Sequence, residues 1–141
     1  MANSLSAFLK ENAKAIENKT VQVSERFLDE NGKPMLWEIQ AISASENQSL
    51  RQQCTKRIGT NRAGQFIEKF DSALYQAKLI ARCVVFPNLN DVDLQNSWGA
   101  LSAEQLATMM LSAGEFDQLF VDIVEHCGFK TDQELVDEAK N

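Results

Sequence analysis

The chain has 141 residues, 44% of them hydrophobic and 24% charged, a composition that suits one folded domain and excludes a wholly disordered polymer. Its net charge of −6 repels phosphate backbones and anionic lipid, so polypeptides are favoured as partners over nucleic acid or membrane. No run reaches the roughly 20 apolar residues that span a bilayer, the start reads as lacking a secretion signal, and Cys54, Cys83 and Cys127 then read as reduced thiols.

Residues 3–18 predict an amphipathic helix. Leu5, Phe8, Leu9 and Ile16 share one side, and Lys10, Glu11, Lys14 and Glu17 point away. The stripe is narrow, so such a helix needs something to pack on. It packs on its own domain or acts as a detachable segment that meets a partner. From 20 to 42 the period changes to two. Val21, Val23 and Phe27, and later Met35, Trp37 and Ile39, alternate with their neighbours around the turn residues Asp29-Glu30-Asn31-Gly32-Lys33-Pro34. That pattern predicts a β-hairpin, whose apolar face must be covered because a lone hairpin is barely stable.

Ser43-Ala44-Ser45-Glu46 fits a capping box opening a helix, with Leu50, Cys54 and Ile58 along its inner face and Gly59 as its stop. Residues 59–66 read as a surface loop that with Lys56, Arg57 and Arg62 forms the most basic part of the chain, either a mobile loop or a contact point for an acidic partner. Helix resumes near Asp71, carries Leu74, Ala77, Ala81 and Val84 or Val85 on one stripe, and is ended by Pro87. A short turn-helix-turn follows to Trp98-Gly99. Ser102 and the Ser112-Ala113-Gly114 stretch precede two further helices, the second holding Phe116, Leu119, Phe120, Ile123, Val124 and Cys127 and ending at Gly128. Thr131-Asp132-Gln133-Glu134 predicts a last short acidic helix. The expected fold is α+β and predominantly helical. It is a single domain over 1–141, with a helix in 1–18, an early β-hairpin at about 20–42 and a helical bundle from 43 onward.

No reactive centre emerges. His126 is the sole histidine, near a helix C-terminus, where the macrodipole favours a protonated ring. The cysteines lack metal-ligand spacing and each falls on an apolar stripe, as buried small hydrophobes do. Asp91 and Asp93 lack the glycine and glutamate of a calcium loop and read as helix-start residues. Gly59 and Gly64 are not followed by the Gly-Lys-Ser/Thr of a phosphate loop. Neither catalysis, a metal nor a cofactor is therefore expected. The candidate partner contacts are Leu5, Phe8, Leu9 and Ile16 of the first helix. Trp98, in an irregular region, joins them as either a core or an interface residue.

Read in order, several segments resemble the XkdN-like family of phage tail assembly chaperones from phages and prophages of Gram-positive bacteria. They are Leu5-Ser6-Ala7-Phe8-Leu9-Lys10-Glu11-Asn12-Ala13, then Arg26-Phe27-Leu28-Asp29-Glu30-Asn31-Gly32-Lys33-Pro34 with Trp37-Glu38-Ile39. Cys83-Val84-Val85-Phe86-Pro87-Asn88-Leu89-Asn90-Asp91 and Leu94-Gln95-Asn96-Ser97 follow, and Met110-Leu111-Ser112-Ala113-Gly114-Glu115-Phe116 and Gly128-Phe129 complete the set before Glu138-Ala139-Lys140-Asn141. The resemblance spans essentially the full length and contains no catalytic motif. It implies a protein of the host bacterial cytoplasm that binds the phage tape measure protein, assists assembly of the tail tube protein around it, and is absent from the finished particle. A homo-oligomer is compatible with that role. The competing reading is a structural virion component, such as a tail terminator or head-tail connector.

Overall fold

A computed structural model describes residues 5–129. Three short strands form an antiparallel sheet in the order β1 (Lys19–Val21), β2 (Trp37–Ile39) and β5 (Val84–Phe86). Lys19 pairs with Ile39 and Val21 with Trp37, while Glu38 faces Phe86 and Ile39 faces Val84 on the other edge. The alternation in β2 sends Trp37 and Ile39 into the core, at 2% and 0% exposure. Burying each such side chain contributes roughly 1.5–3 kcal/mol. The hairpin expected over 20–42 is thus present, but its paired strands are three residues long. The remainder is held by an isolated Leu28–Pro34 bridge and the turn between them. The tertiary fold supplies a third strand that its sequence neighbourhood does not: α2 stops at Cys83, and Val84-Val85-Phe86 turns extended before Pro87.

Helices α1 (Ala44–Gln53), α2 (Ser72–Cys83), α3 (Val92–Trp98), α4 (Ala103–Met110) and α5 (Ala113–His126) pack chiefly on one another, and α2 also meets β5 of the sheet. Each starts where a short polar side chain accepts a hydrogen bond from a backbone N–H of the first turn. Those caps are Ser43, Asp71, Asp91, Ser102 and Ser112. Only Ser112 completes the reciprocal box, with Glu115 accepting from its backbone N–H at 2.9 Å. At Ser43 the expected reciprocal partner, Glu46, pairs instead with Arg82 of α2. Helix α2 is central: Tyr75, Ala77, Leu79, Ile80 and Cys83 are buried, against Leu106 and Met110 of α4 and Leu119 and Ile123 of α5. Gly99 closes α3 at φ +71°, a conformation that costs any residue with a Cβ.

Three expectations are corrected. The helix over 3–18 does not form within the described residues. Leu5–Phe8 is one 3-10 turn, the Asn12 side chain donates to the Ser6 carbonyl at 2.8 Å, and 14–18 are irregular. Four apolar residues with no surface beneath them supply too little burial to offset the cost of helix nucleation. Second, the helix from Ser43 ends at Gln53, with Cys54 as its cap, so Ile58 does not continue its stripe. Residues Thr55–Thr60 (β3) and Phe66–Phe70 (β4) instead pair antiparallel, and the expected loop at 59–66 shrinks to the turn at Asn61–Gln65. β-branched and aromatic residues there favour extended backbone. Third, the region after 43 is therefore not purely a helical bundle, and the fold is mixed α+β with two small sheets. The short acidic helix expected from Thr131 lies outside the described residues.

Candidate interaction surfaces

The described residues contain no group of three histidine, cysteine or carboxylate side chains able to hold a metal ion. Cys54 and Cys83 are fully buried, and burial together with neighbouring Cys127 pushes the Cys83 thiol up to about 12. Such a thiol is protonated and unreactive. Asp91 is engaged as the cap of α3, accepting from Leu94 N–H at 2.9 Å. Among the described residues the one strongly perturbed carboxylate, Glu115, is held down to about 2 by the Arg26 guanidinium, with Ser24 and the Ser112 N–H adding to it. Arg26 Nη2 donates to Glu115 at 2.6 Å and to the Met110 carbonyl at 2.7 Å. This node ties the loop after β1 to the α4–α5 junction.

That tie shapes an apolar cleft beside it. Phe27, Met35, Trp37, Phe86, Pro87 and Met110 line a space of about 170 Å³ open to solvent. Trp37 is its floor. The Phe27 ring tilts against Trp37 at 6.4 Å and meets Trp98 edge-on at 6.3 Å, while the Arg26 guanidinium lies 5.0 Å from the Phe27 centroid. The turn that delivers Leu28 and Met35 is stiffened locally: Asp29 Oδ1 accepts from the Asn31 and Lys33 N–H groups at 2.8 and 3.0 Å, and Gly32 takes φ +77°. Leu28, Leu36 and Phe86 are about half exposed. The cleft is therefore a preformed apolar recess among solvent-facing apolar side chains, suited to receiving an apolar side chain or helix face.

A second surface is the β3–β4 arm. Residues 56–70 are exposed throughout, Ile58 and Phe66 at 61%. Opposite partners are Thr55 with Phe70, Lys56 with Lys69 and Arg57 with Glu68, with a bulge at Ile58. Period two places Phe66, Glu68 and Phe70 on one face and Ile67 and Lys69 on the other. The first face is internally occupied. Arg57 covers Phe66 at 4.1 Å, and Arg51 lies 4.7 Å from Phe70 and 5.5 Å from Tyr75.

Of the sequence candidates, Trp98 is half-buried and packs on Phe27, beside the cleft. Leu5, Phe8, Leu9 and Ile16 stay on the exposed segment before β1, from 49% to 82% accessible and outside the core cluster. Sequence reasoning missed the cleft and the arm. Met35-Leu36-Trp37 carried a usable signal: three successive apolar residues cannot all face inward from a strand, so one must face solvent. For the arm, the signal was Asn61-Arg62-Ala63-Gly64 between Ile58 and Phe66, a turn flanked by strand-forming residues.

The profile of a family described as phage XkdN-like tail assembly chaperone protein matches residues 5–140. The Bacillus subtilis (strain 168) phage-like element PBSX protein XkdN is 24% identical over 139 residues, covering 97% of this chain and 93% of its own length. Protein YqbN of the same organism, described as uncharacterized, is 25% identical over 136 residues, with 96% and 91% covered. A crystal structure of protein YqbN shares the fold, with a TM-score of 0.76 at 21% identity over 92% of this chain and all of that one.

Proposed function

This chain belongs to the phage XkdN-like tail assembly chaperone family, and on that premise we propose that it binds the tape measure protein and keeps it soluble in the host cytoplasm while the tail tube is assembled. The observation that carries this reading is the open apolar cleft of Phe27, Met35, Trp37, Phe86, Pro87 and Met110. A long helical client exposes apolar faces until its tube surrounds it. A chaperone must cover those faces reversibly, and a preformed recess bordered by partly exposed Leu28 and Leu36 does so without a catalytic step. The acidic balance of the chain keeps the loaded complex soluble.

Co-expression tests it. The tape measure protein should remain in the soluble fraction with the wild-type chain and co-purify with it. Met35→Glu and Phe86→Glu, each placing a charge at a partly exposed cleft position, should return the client to the pellet while the variant itself stays folded. A client equally soluble without the chain, or equally well held by both variants, removes the proposal. Stoichiometric presence of the chain in purified particles would favour a structural virion role instead.

A further inference from the structure

The β3–β4 arm is held at its base and bare on one side. Asp71 N–H donates to the Cys54 carbonyl at 2.7 Å, and the Phe70 ring packs on Tyr75 at 5.6 Å. Tyr75 in turn meets Phe120 of α5 edge-on at 6.5 Å. With Arg51 on Phe70 and Arg57 on Phe66, these contacts occupy one face and fix how the arm stands on the helices. The opposite face carries Lys56 and Lys69 as direct cross-strand partners and, next to them, Ile67 opposite Gly59. All four are exposed. The two lysine side chains start about 5 Å apart, and like charges so placed oppose hairpin formation. Neither lysine has an ion-pair partner among the described residues. A carboxylate seated between them would turn that repulsion into attraction. At Gly59 a Cβ would meet nothing within 4 Å, so a notch lies open beside Ile67. The face thus offers a cationic clasp and, about 7 Å along the strands, an apolar step.

Two side chains four residues apart on a helix stand about 6 Å apart along its axis, close to that spacing. We propose that this face docks an acidic amphipathic helix of a partner polypeptide. A carboxylate of the helix sits between Lys56 and Lys69, and an aliphatic side chain four residues away rests on Ile67 over Gly59. An extended partner segment would instead pair along a strand edge and leave the face bare. The surface shares no residue with the cleft of Phe27, Met35, Trp37, Phe86, Pro87 and Met110. The cleft accepts apolar surface alone, whereas the arm adds a charge requirement and so selects among helices. Nucleic acid and anionic lipid are disfavoured. Each brings many negative charges into the field of a chain of net charge −6, while the helix brings one or two. The ring faces on which bases would stack are also covered by Arg57 and Arg51.

The probe is a fluorescent synthetic helix with glutamate and leucine four residues apart, titrated with the full chain and read by anisotropy. It should bind more tightly than a scrambled peptide of the same composition, and less tightly as salt rises. K56E/K69E should weaken binding by roughly tenfold or more. K56Q/K69Q, which removes the clasp without adding repulsion, should weaken it in the same direction and decides the matter if the reversed pair fails to fold. Both positions are exposed, so the wild-type circular dichroism should be retained. K10E/K14E makes the same charge change on the exposed segment before β1 and should leave affinity within about twofold. Equal binding of the scrambled peptide overturns the proposal. So does undiminished affinity in a folded arm variant, or an equal loss in K10E/K14E. Tighter binding of a single-stranded oligonucleotide or of phosphatidylserine vesicles than of the helix overturns it too. The test contains no client and leaves the cleft intact, so it stands or falls separately from tape measure binding.

Discussion

Neutralising Glu115 isolates the electrostatic part of the node that holds the cleft loop to the α4–α5 junction. In the folded chain its carboxyl is lowered from 4.5 to about 2, first by Arg26, then by Ser24 and the Ser112 N–H. At about 1.4 kcal/mol per pH unit, the full shift corresponds to a ceiling of about 3 kcal/mol. Arg26 is 49% exposed, so solvent screens the pair, and about 1–2 kcal/mol is the expected contribution. Since the folded value lies below the unfolded one, this stability is complete above about pH 5 and disappears as the pH falls towards 2. Glu115→Gln keeps an oxygen for the Ser112 N–H and removes only the charge. Urea unfolding of both proteins, followed by tryptophan fluorescence across this range, should show the wild type ahead at neutral pH and the gap closing in acid. A gap that is absent at neutral pH, or constant down to pH 3, would refute the assignment.

Trp37→Ala should cost about 3–5 kcal/mol, because the indole is buried beneath the cleft and nothing else fills its volume. Urea unfolding by circular dichroism measures it, and a loss below 1 kcal/mol would mean the site collapses freely. Cys54 and Cys83 should resist iodoacetamide at mildly alkaline pH in the native chain and alkylate readily once unfolded in urea. Burial raises both thiols, so the thiolate is scarce, and mass spectrometry reads which residues are labelled.

Local chemistry determined much of this molecule before any packing was known. Ser43, Asp71, Asp91, Ser102 and Ser112 start helices because a side-chain oxygen next to an apolar-periodic run satisfies donors that the helix itself leaves free. The turn at Asp29–Pro34 and the stop at Gly99 follow equally from residue chemistry. Trp37 was readable as core because its strand alternates. Longer-range choices were not. Residues 5–18 show helical spacing but find no surface to bury against, so the pattern stays unused. Residues 55–70 lie within reach of either a helix or a hairpin, and β3 and β4 decide each other by pairing. Val84-Val85-Phe86 leaves a helical run because the edge of β2 offers it hydrogen bonds. The cleft exists only where the hairpin turn, β5 and α4 converge. Capping and turn preferences act within a few residues and are written locally, whereas burial and strand pairing depend on what arrives from elsewhere in the chain.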